Sequence, residues 1–176
     1  MELTEAREAW AGVAREVLVA TASKYRATIT YKELAAQLQD QTGIRTKTLQ
    51  HHWIGDVLRM VSDENVKADE PLLCSLCVNA KGSVGAGYGN LIDTPEGDEL
   101  PADLDLHAAA ARLECYRKWA SDLPATGGSP ALVEQEASRR EREAKKAAEL
   151  RPRPHCPTCF LRLPASGHCD TCAASL

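Results

Sequence analysis

The sequence lacks any long apolar run and any recognisable sorting segment at its beginning. No stretch of its 176 residues approaches the ~20 consecutive apolar residues that a transmembrane helix requires. Residues 1–5 contain no basic segment leading into an apolar one, which is the pattern of a secretory leader. We therefore expect a cytoplasmic protein that has no membrane partner.

Motifs of the common enzyme classes are also absent. There is no P-loop, no Ser-His-Asp context and no motif of paired carboxylates. The adjacent residues His51 and His52 would point about 100° apart on a helix, so both cannot face one metal ion. Asp56 could share the face of His52, but no third ligand accompanies the pair. We therefore expect no catalytic residues and a function other than catalysis.

What the sequence does contain is two closely spaced pairs of cysteines at its C-terminal end. The pairs are Cys156 with Cys159 and Cys169 with Cys172, each in a Cys-x-x-Cys motif. Two tight turns of this kind can aim four thiolates at one tetrahedral zinc ion. Because four cysteines close the coordination and leave no position for a substrate, we expect one structural zinc ion in a zinc ribbon.

Other arrangements of the C-terminal cysteines are open from the sequence alone. Two disulfides or a dithiol redox pair could use the same residues, although redox motifs occur singly and in a βαβ context. His155 and His168 each stand beside a cysteine and could replace a ligand or support one. The remaining three cysteines are expected to be free thiols, in keeping with a reducing compartment: Cys74, Cys77 and Cys115.

The net charge of −4 hides an uneven distribution of charged residues. Residues 63–105 hold ten acidic side chains against two lysines, so this middle region could contact another protein. Residues 138–153 hold seven arginines and lysines against three glutamates, which is a candidate phosphate-facing surface. An exposed helix with ion pairs four residues apart, such as Glu141 with Lys145, would show the same composition.

Apolar periodicity predicts a mainly α protein with a small β hairpin. Helices are expected over 4–23, 30–39, 46–61 and 103–120, with a strand over 72–78, a turn at 80–82 and a return strand at 83–84. Thr30 and Glu33 have the spacing of a capping box. Two helices joined by a glycine-containing turn and followed by a hairpin indicate a winged-helix-like core. The expected domains are 1–120 with flanking helices, 121–154 as linker and charged helix, and 155–176 as the zinc ribbon.

Two segments resemble the C-terminal domain of O6-alkylguanine-DNA alkyltransferases and their alkyltransferase-like relatives. They are residues 29–35, with the sequence Ile-Thr-Tyr-Lys-Glu-Leu-Ala, and residues 71–88, which end in Gly-Ala-Gly-Tyr. The resemblance implies a winged helix that binds DNA through its helix-turn-helix. The family's reactive cysteine would fall at Cys74, but Ser75 follows it where the family has the histidine that generates the thiolate. We therefore expect Cys74 and Cys77 to be inert core residues.

These observations favour a non-enzymatic zinc protein that binds nucleic acid, most simply duplex DNA. A protein-interaction adaptor that uses the acidic middle region is one alternative, and an alkyltransferase-like lesion-binding protein or enzyme is another. The candidate nucleic-acid contacts are Arg45, Lys47, Gln50 and His51 at the third helix, Lys81 at the wing, the helical stripe Arg139, Arg142 and Lys146, and the spacer residues Arg151 and Arg153.

Overall fold

The computed structural model describes residues 3–92, 99–150, 155–164, 167–169 and 171–172. The chain divides into two compact units, Met1–Ala137 and Ser138–Leu176, which we call unit 1 and unit 2. The described part is mainly helical, as the sequence predicted. Its elements are α1 (Leu3–Ala22), β1 (Ile29–Thr30), α2 (Tyr31–Thr42), α3 (Ile54–Lys67), β2 (Cys77–Val78), α4 (Leu104–Trp119) and α5 (Glu134–Leu150), with 3-10 turns at Gln50–His52, Leu73–Leu76 and Ala86–Leu91.

The core of unit 1 is formed where α1 packs on α2 and α3. Trp10 of α1 and Trp53, which immediately precedes α3, are both buried, and their ring centroids lie 4.2 Å apart. Val17 lies two turns along the same face of α1, in agreement with the predicted helical spacing. The two tryptophans therefore join the first and third helices at the centre of the unit.

The capping box predicted for α2 is confirmed. The Thr30 hydroxyl accepts from the Glu33 amide at 3.2 Å, and the Glu33 carboxylate accepts from the Thr30 amide at 2.9 Å. The Thr30 hydroxyl and amide both donate to this carboxylate, which lowers the pKa of Glu33. Gly43, with a φ of 70°, ends the helix in the left-handed conformation that glycine adopts most easily.

The third helix begins later than the sequence predicted. It was expected to start at residue 46, but α3 starts at Ile54 and extends to Lys67. The preceding segment forms local hydrogen bonds that compete with a helix: the Thr48 amide donates to the Thr46 hydroxyl at 3.1 Å, and the Thr46 amide donates to Gln39 at 3.0 Å. The predicted recognition residues therefore lie outside α3, in a loop and a 3-10 turn.

The predicted β hairpin is wrong. β2 pairs with β1 in parallel, with Ile29 opposite Cys77, and Leu73–Leu76 forms a buried 3-10 turn in place of a strand. After β2 the backbone forms a turn that is closed by one bond from the Asn79 amide to the Ser83 carbonyl at 2.8 Å. The expected return strand is not formed, and the Val84 amide donates to an Asp105 carboxylate oxygen at 2.8 Å. An antiparallel wing is therefore absent from the described part of unit 1.

Candidate metal centre and nucleic-acid interface

The four C-terminal cysteines come together in unit 2. Their sulfur atoms all lie within 4.8 Å of one another: Cys156, Cys159, Cys169 and Cys172. The Cys156 and Cys172 sulfurs are 3.3 Å apart, and those of Cys159 and Cys169 are 3.4 Å apart. A tetrahedron with zinc–sulfur bonds of ~2.3 Å has sulfur–sulfur edges of about 3.8 Å, so the cluster has nearly the size that zinc requires.

Backbone amides at the two turns favour the thiolate form of the first cysteine of each pair. Hydrogen bonding by the Cys159 amide is the largest cause that lowers the pKa of Cys156, to about 6, and the Thr158 amide adds to it. The Cys172 amide lowers the pKa of Cys169 in the same way. Cys156 and Cys169 are therefore favoured as thiolates before any metal is bound. The pKa of Cys159 is raised instead: the Leu161 amide lowers it, but the Cys169 thiol and burial together raise it more.

The first cysteine turn is closed by backbone hydrogen bonds. The Phe160 amide donates to the Cys156 carbonyl at 2.9 Å, and the Cys156 amide donates to the Leu161 carbonyl at 2.8 Å. Beyond them, His155 and Arg162 form an isolated antiparallel bridge. His155 is exposed, and the sulfur cluster contains only cysteines among the described residues. This closed loop holds Cys156 and Cys159 at one side of the cluster.

Phe160 is a feature of this turn that sequence reasoning missed. It follows Cys159 directly, adopts a left-handed backbone conformation with a φ of 58°, and is 76% exposed. This conformation is unfavourable for a bulky residue, and exposure of the ring adds a further unfavourable term. No pattern in the sequence marks the position, because a single aromatic residue next to a cysteine carries no periodicity.

The candidate basic stripe lies on α5. Arg142 and Lys146 are exposed, whereas Arg139 contacts both carboxylate oxygens of Glu143, at 2.7 and 2.8 Å. The other two basic residues predicted to contact phosphate, Arg151 and Arg153, lie outside the described residues. The structure therefore places two cations of the stripe in solvent and the third in an ion pair within the helix.

The candidate contacts of unit 1 do not share one helix. Arg45 and Lys47 are exposed in the loop before α3, and Arg45 pairs with Asp40 at 2.6 Å. Gln50 and His51 lie in the 3-10 turn that follows. Lys81 is exposed in the turn after β2, where its amide and that of Ser83 donate to the Asn79 side chain.

A cavity of about 640 Å³ opens beside the 3-10 turn Gln50–His52. We call it the tyrosine cavity because Tyr31 and Tyr88 line it, together with His51 and Gly87. The Tyr31 hydroxyl accepts from the Gly85 amide at 3.0 Å, and burial raises the pKa of Tyr31 to about 12, so the phenol is neutral at pH 7. Sequence reasoning missed the cavity because its walls come from segments that are distant in the chain.

Asp56 also lines the tyrosine cavity, but it does not orient a histidine. Its carboxylate pairs with Arg7 of α1 at 2.8 Å. The rings of His51 and His52 stack on each other with centroids 4.0 Å apart. Asp56 and His52 therefore do not form the imidazole–carboxylate pair that their spacing would allow.

Cys74 and Cys77 are buried in the core and do not line the tyrosine cavity. Their exposed fractions are 1% and 0%, and the Cys74 sulfur donates to the Leu58 carbonyl at 3.0 Å. Burial away from water raises the pKa of both thiols well above the ordinary range. The predicted burial of both cysteines is confirmed, and neither is a thiolate at pH 7.

Positive and negative side chains are divided unequally between the two units. Unit 2 holds eight arginines and lysines, at 139, 140, 142, 145, 146, 151, 153 and 162, against four acids, at 141, 143, 149 and 170. The chain as a whole holds 21 basic and 25 acidic residues, so unit 1 holds 13 basic against 21 acidic residues. The two units therefore have opposite net charge.

Comparison with known proteins identifies no family for this chain. No helix in the described ranges is long and apolar enough to cross a membrane. The resemblance to alkyltransferases consequently stays a prediction that depends on residues 29–35 and 71–88. Neither the protein-family models, nor the curated proteins, nor the solved structures include a match to the sequence or the fold.

Proposed function

We propose that this chain is a non-enzymatic, zinc-containing protein that binds nucleic acid, with unit 2 providing most of the affinity. The observation that carries the proposal is the division of charge, eight basic against four acidic residues in unit 2 and the reverse excess in unit 1. A polyanion is attracted by local positive charge even when the total charge of the protein is negative. Duplex DNA is the partner we favour.

The basic residues of α5 are suited to phosphate contacts. Arg142 and Lys146 are exposed one turn apart, so both can face the same strand of phosphates. The exposed pair of Arg139 with Glu143 contributes no more than about 1 kcal/mol, so Arg139 can exchange this carboxylate for a phosphate. Four thiolates and one zinc ion would carry a charge of −2, so the helix and spacer, rather than the metal cluster, supply the attraction.

Unit 1 would contribute fewer and more selective contacts. Its acidic excess opposes close approach to phosphates, and this limits contact to exposed residues such as Lys47, His51 and Lys81. Gln50 and Lys47 have side chains that can read base edges. Their substitution would change the preference among sequences more than the overall affinity.

We predict that the double substitution R142A/K146A weakens binding to all duplex sequences alike. Each lost phosphate contact removes about 0.9 from the slope of log K against log salt, so the slope should fall by roughly two units. The measurement is fluorescence anisotropy with several unrelated labelled duplexes over a range of salt concentrations. Arg139 is left unchanged because its charge is already shared with Glu143.

The matched control removes two exposed lysines from unit 1, K24A/K67A, and should leave the salt slope within half a unit of the parent. Equal slopes for the parent and R142A/K146A would show that the α5 face is only solvated. If the parent binds no duplex even at low salt, nucleic acid is not its partner. The acidic unit 1 would then favour the alternative function, a protein-interaction adaptor.

The tyrosine cavity favours a second candidate function, recognition of an extruded, alkylated base without chemistry. A base taken out of the stack needs an enclosed pocket with aromatic walls, and the cavity of about 640 Å³ beside Tyr31 and Tyr88 is large enough. Transfer of the alkyl group would need a reactive thiolate at the pocket, whereas Cys74 is buried and protonated. Lesion binding therefore fits the cavity better than alkyl transfer.

If this second function holds, the protein should bind a duplex containing one O6-alkylguanine at least about tenfold more tightly than the unmodified duplex, a difference of ~1.4 kcal/mol. Mass spectrometry should find Cys74 unmodified afterwards. G87L should reduce the preference, because Gly87 lines the cavity and a leucine there would narrow it. A Cβ at Gly87 meets nothing within 4 Å, so the variant should fold. G12L, an equally unhindered position on α1, is the control. Stoichiometric alkylation of Cys74 would instead identify an enzyme.

A further inference from the structure

Unit 1 contains a second cavity, of about 440 Å³, that the proposed functions do not use. We call it the arginine cavity because Arg26 and Arg112 both line it. It lies between the end of the loop after α1, the middle of α4 and the chain segment that leads into α5. Its volume falls in the range of pockets that hold small molecules.

The guanidinium of Arg112 is buried with no carboxylate in direct contact among the described residues, although the more distant charge of Asp105 favours its protonated form. The residue is 3% exposed, and it donates to the Ser75 carbonyl at 3.0 Å and to the Ala131 carbonyl at 3.4 Å. Within the part of the chain that the structure describes, it forms no ion pair with an aspartate or glutamate. Carbonyl groups satisfy N–H donors but do not neutralise the charge, which is unfavourable in a buried site.

Burial has a measurable consequence for Arg112. Loss of hydration lowers the pKa of its guanidinium from the ordinary value, because the charged form is the one that burial disfavours. The guanidinium has five N–H donors, and two carbonyls account for two bonds. An anion beside Arg112 would supply both the missing charge and further acceptors.

The remaining walls of the cavity add groups that suit an anion. Arg26 brings a second cation and is exposed, with its backbone in the left-handed region (φ 64°) and its guanidinium 5.3 Å from the ring centre of Tyr25. Thr28 and Ser129 place hydroxyl-bearing residues in the lining. One acid, Glu134 at the start of α5, also lines the cavity. The lining therefore contains two positively charged side chains and one negatively charged side chain.

We propose that the arginine cavity is a binding site for the oxyanion of a small molecule, a phosphate or a carboxylate group held by Arg112 and Arg26. Arg112 lies at the buried end and would contact the oxyanion through the planar fork that matches two oxygens. Arg26 would close over the group from the solvent side. The site is independent of the nucleic-acid contacts, since none of the proposed contact residues lines it.

The test is thermal unfolding of the full-length, zinc-loaded protein with inorganic phosphate or with acetate, at constant ionic strength set by sodium chloride. We expect a saturable rise in Tm, of about 2–5 °C at tenfold excess over Kd, in the parent protein. A larger rise with phosphate identifies a phosphate ligand, and a rise only with acetate identifies a carboxylate. No saturable rise with either anion would overturn the proposal.

Variants separate the site from general ion effects. R26Q changes an exposed residue and should fold normally, yet it should lose most of the rise in Tm; K24Q, a neighbouring exposed cation outside the cavity, should keep it. R112K retains the charge but not the two-pronged geometry, and it should weaken anion binding at least severalfold. An equal rise in R26Q and the parent would contradict the proposal, even if Arg112 variants prove unable to fold.

Discussion

Removal of zinc is expected to unfold the C-terminal part of unit 2 while unit 1 stays folded. Among the residues of unit 2 that the structure describes, the buried cluster consists of Cys156, Leu163 and Cys169, so it contains a single large aliphatic side chain. Full burial of a leucine contributes about 1.5–3 kcal/mol, whereas ordering each residue of the backbone costs about 1–2 kcal/mol. Structural zinc contributes roughly 10–16 kcal/mol in small domains, several times the contribution of this leucine.

The measurement combines metal analysis with limited proteolysis. Reduced, freshly purified protein should carry one zinc ion, and C156S or C172S should lose it and become sensitive to protease after residue 150. H155A is the matched control, because His155 adjoins a cysteine but lies outside the sulfur cluster, so it should retain the metal. Reduced protein that contains no zinc, or a chelated protein whose C-terminal part resists protease, would contradict the metal site.

The zinc site should also lose its metal as the pH falls. Protons compete with zinc for the thiolates, so binding weakens when the sulfurs become protonated. The pKa of Cys156 is lowered to about 6 by amide hydrogen bonds, so its thiolate is present above about pH 6 and is lost as the pH falls through that value. Cys156 therefore favours metal binding down to a lower pH than an unperturbed thiol would, whereas Cys159, whose pKa is raised, does not.

Local interactions explain which elements the sequence predicted correctly. The capping box of α2 depends on two residues three positions apart, and the cysteine turns depend on Cys-x-x-Cys spacing, so both are visible in short segments. The start of α3 was missed because the Thr46 and Thr48 amides donate to the side chains of Gln39 and Thr46. Periodicity does not show whether such bonds are stronger than those of a helix.

Long-range interactions explain the rest. The run at 72–78 is apolar at most positions, so its pattern cannot distinguish a strand from a buried 3-10 turn. The Val84 amide donates to Asp105, which is distant in the chain, and no pattern near Val84 indicates that partner. The burial of Arg112 and both cavities likewise depend on which segments meet in the fold. Such features follow from tertiary structure and have no sequence period.

The substitution W53A is expected to lower the free energy of unfolding of unit 1 by about 3–5 kcal/mol. Trp53 is 1% exposed and stacks on Trp10 between α1 and α3, so truncation leaves a large cavity at the junction of the first and third helices. Its Nε1 donates to the Thr48 carbonyl at 3.3 Å, which fixes the loop before the 3-10 turn. Loss of this bond should release the loop that carries Lys47.

Phenylalanine substitutions test whether the hydrogen bond of Trp53 contributes to stability, because the two tryptophans differ in the hydrogen bonding of Nε1. In the described structure the buried Nε1 of Trp10 has no hydrogen-bond partner, whereas that of Trp53 has one. W10F removes an unsatisfied donor and W53F removes a formed bond, so W53F should be more destabilising by about 1 kcal/mol. Denaturant titration of the zinc-loaded variants, followed by far-ultraviolet circular dichroism, measures both. A loss below about 1.5 kcal/mol for W53A would show that the junction relaxes around the missing ring and that the tryptophan pair does not hold the helices together.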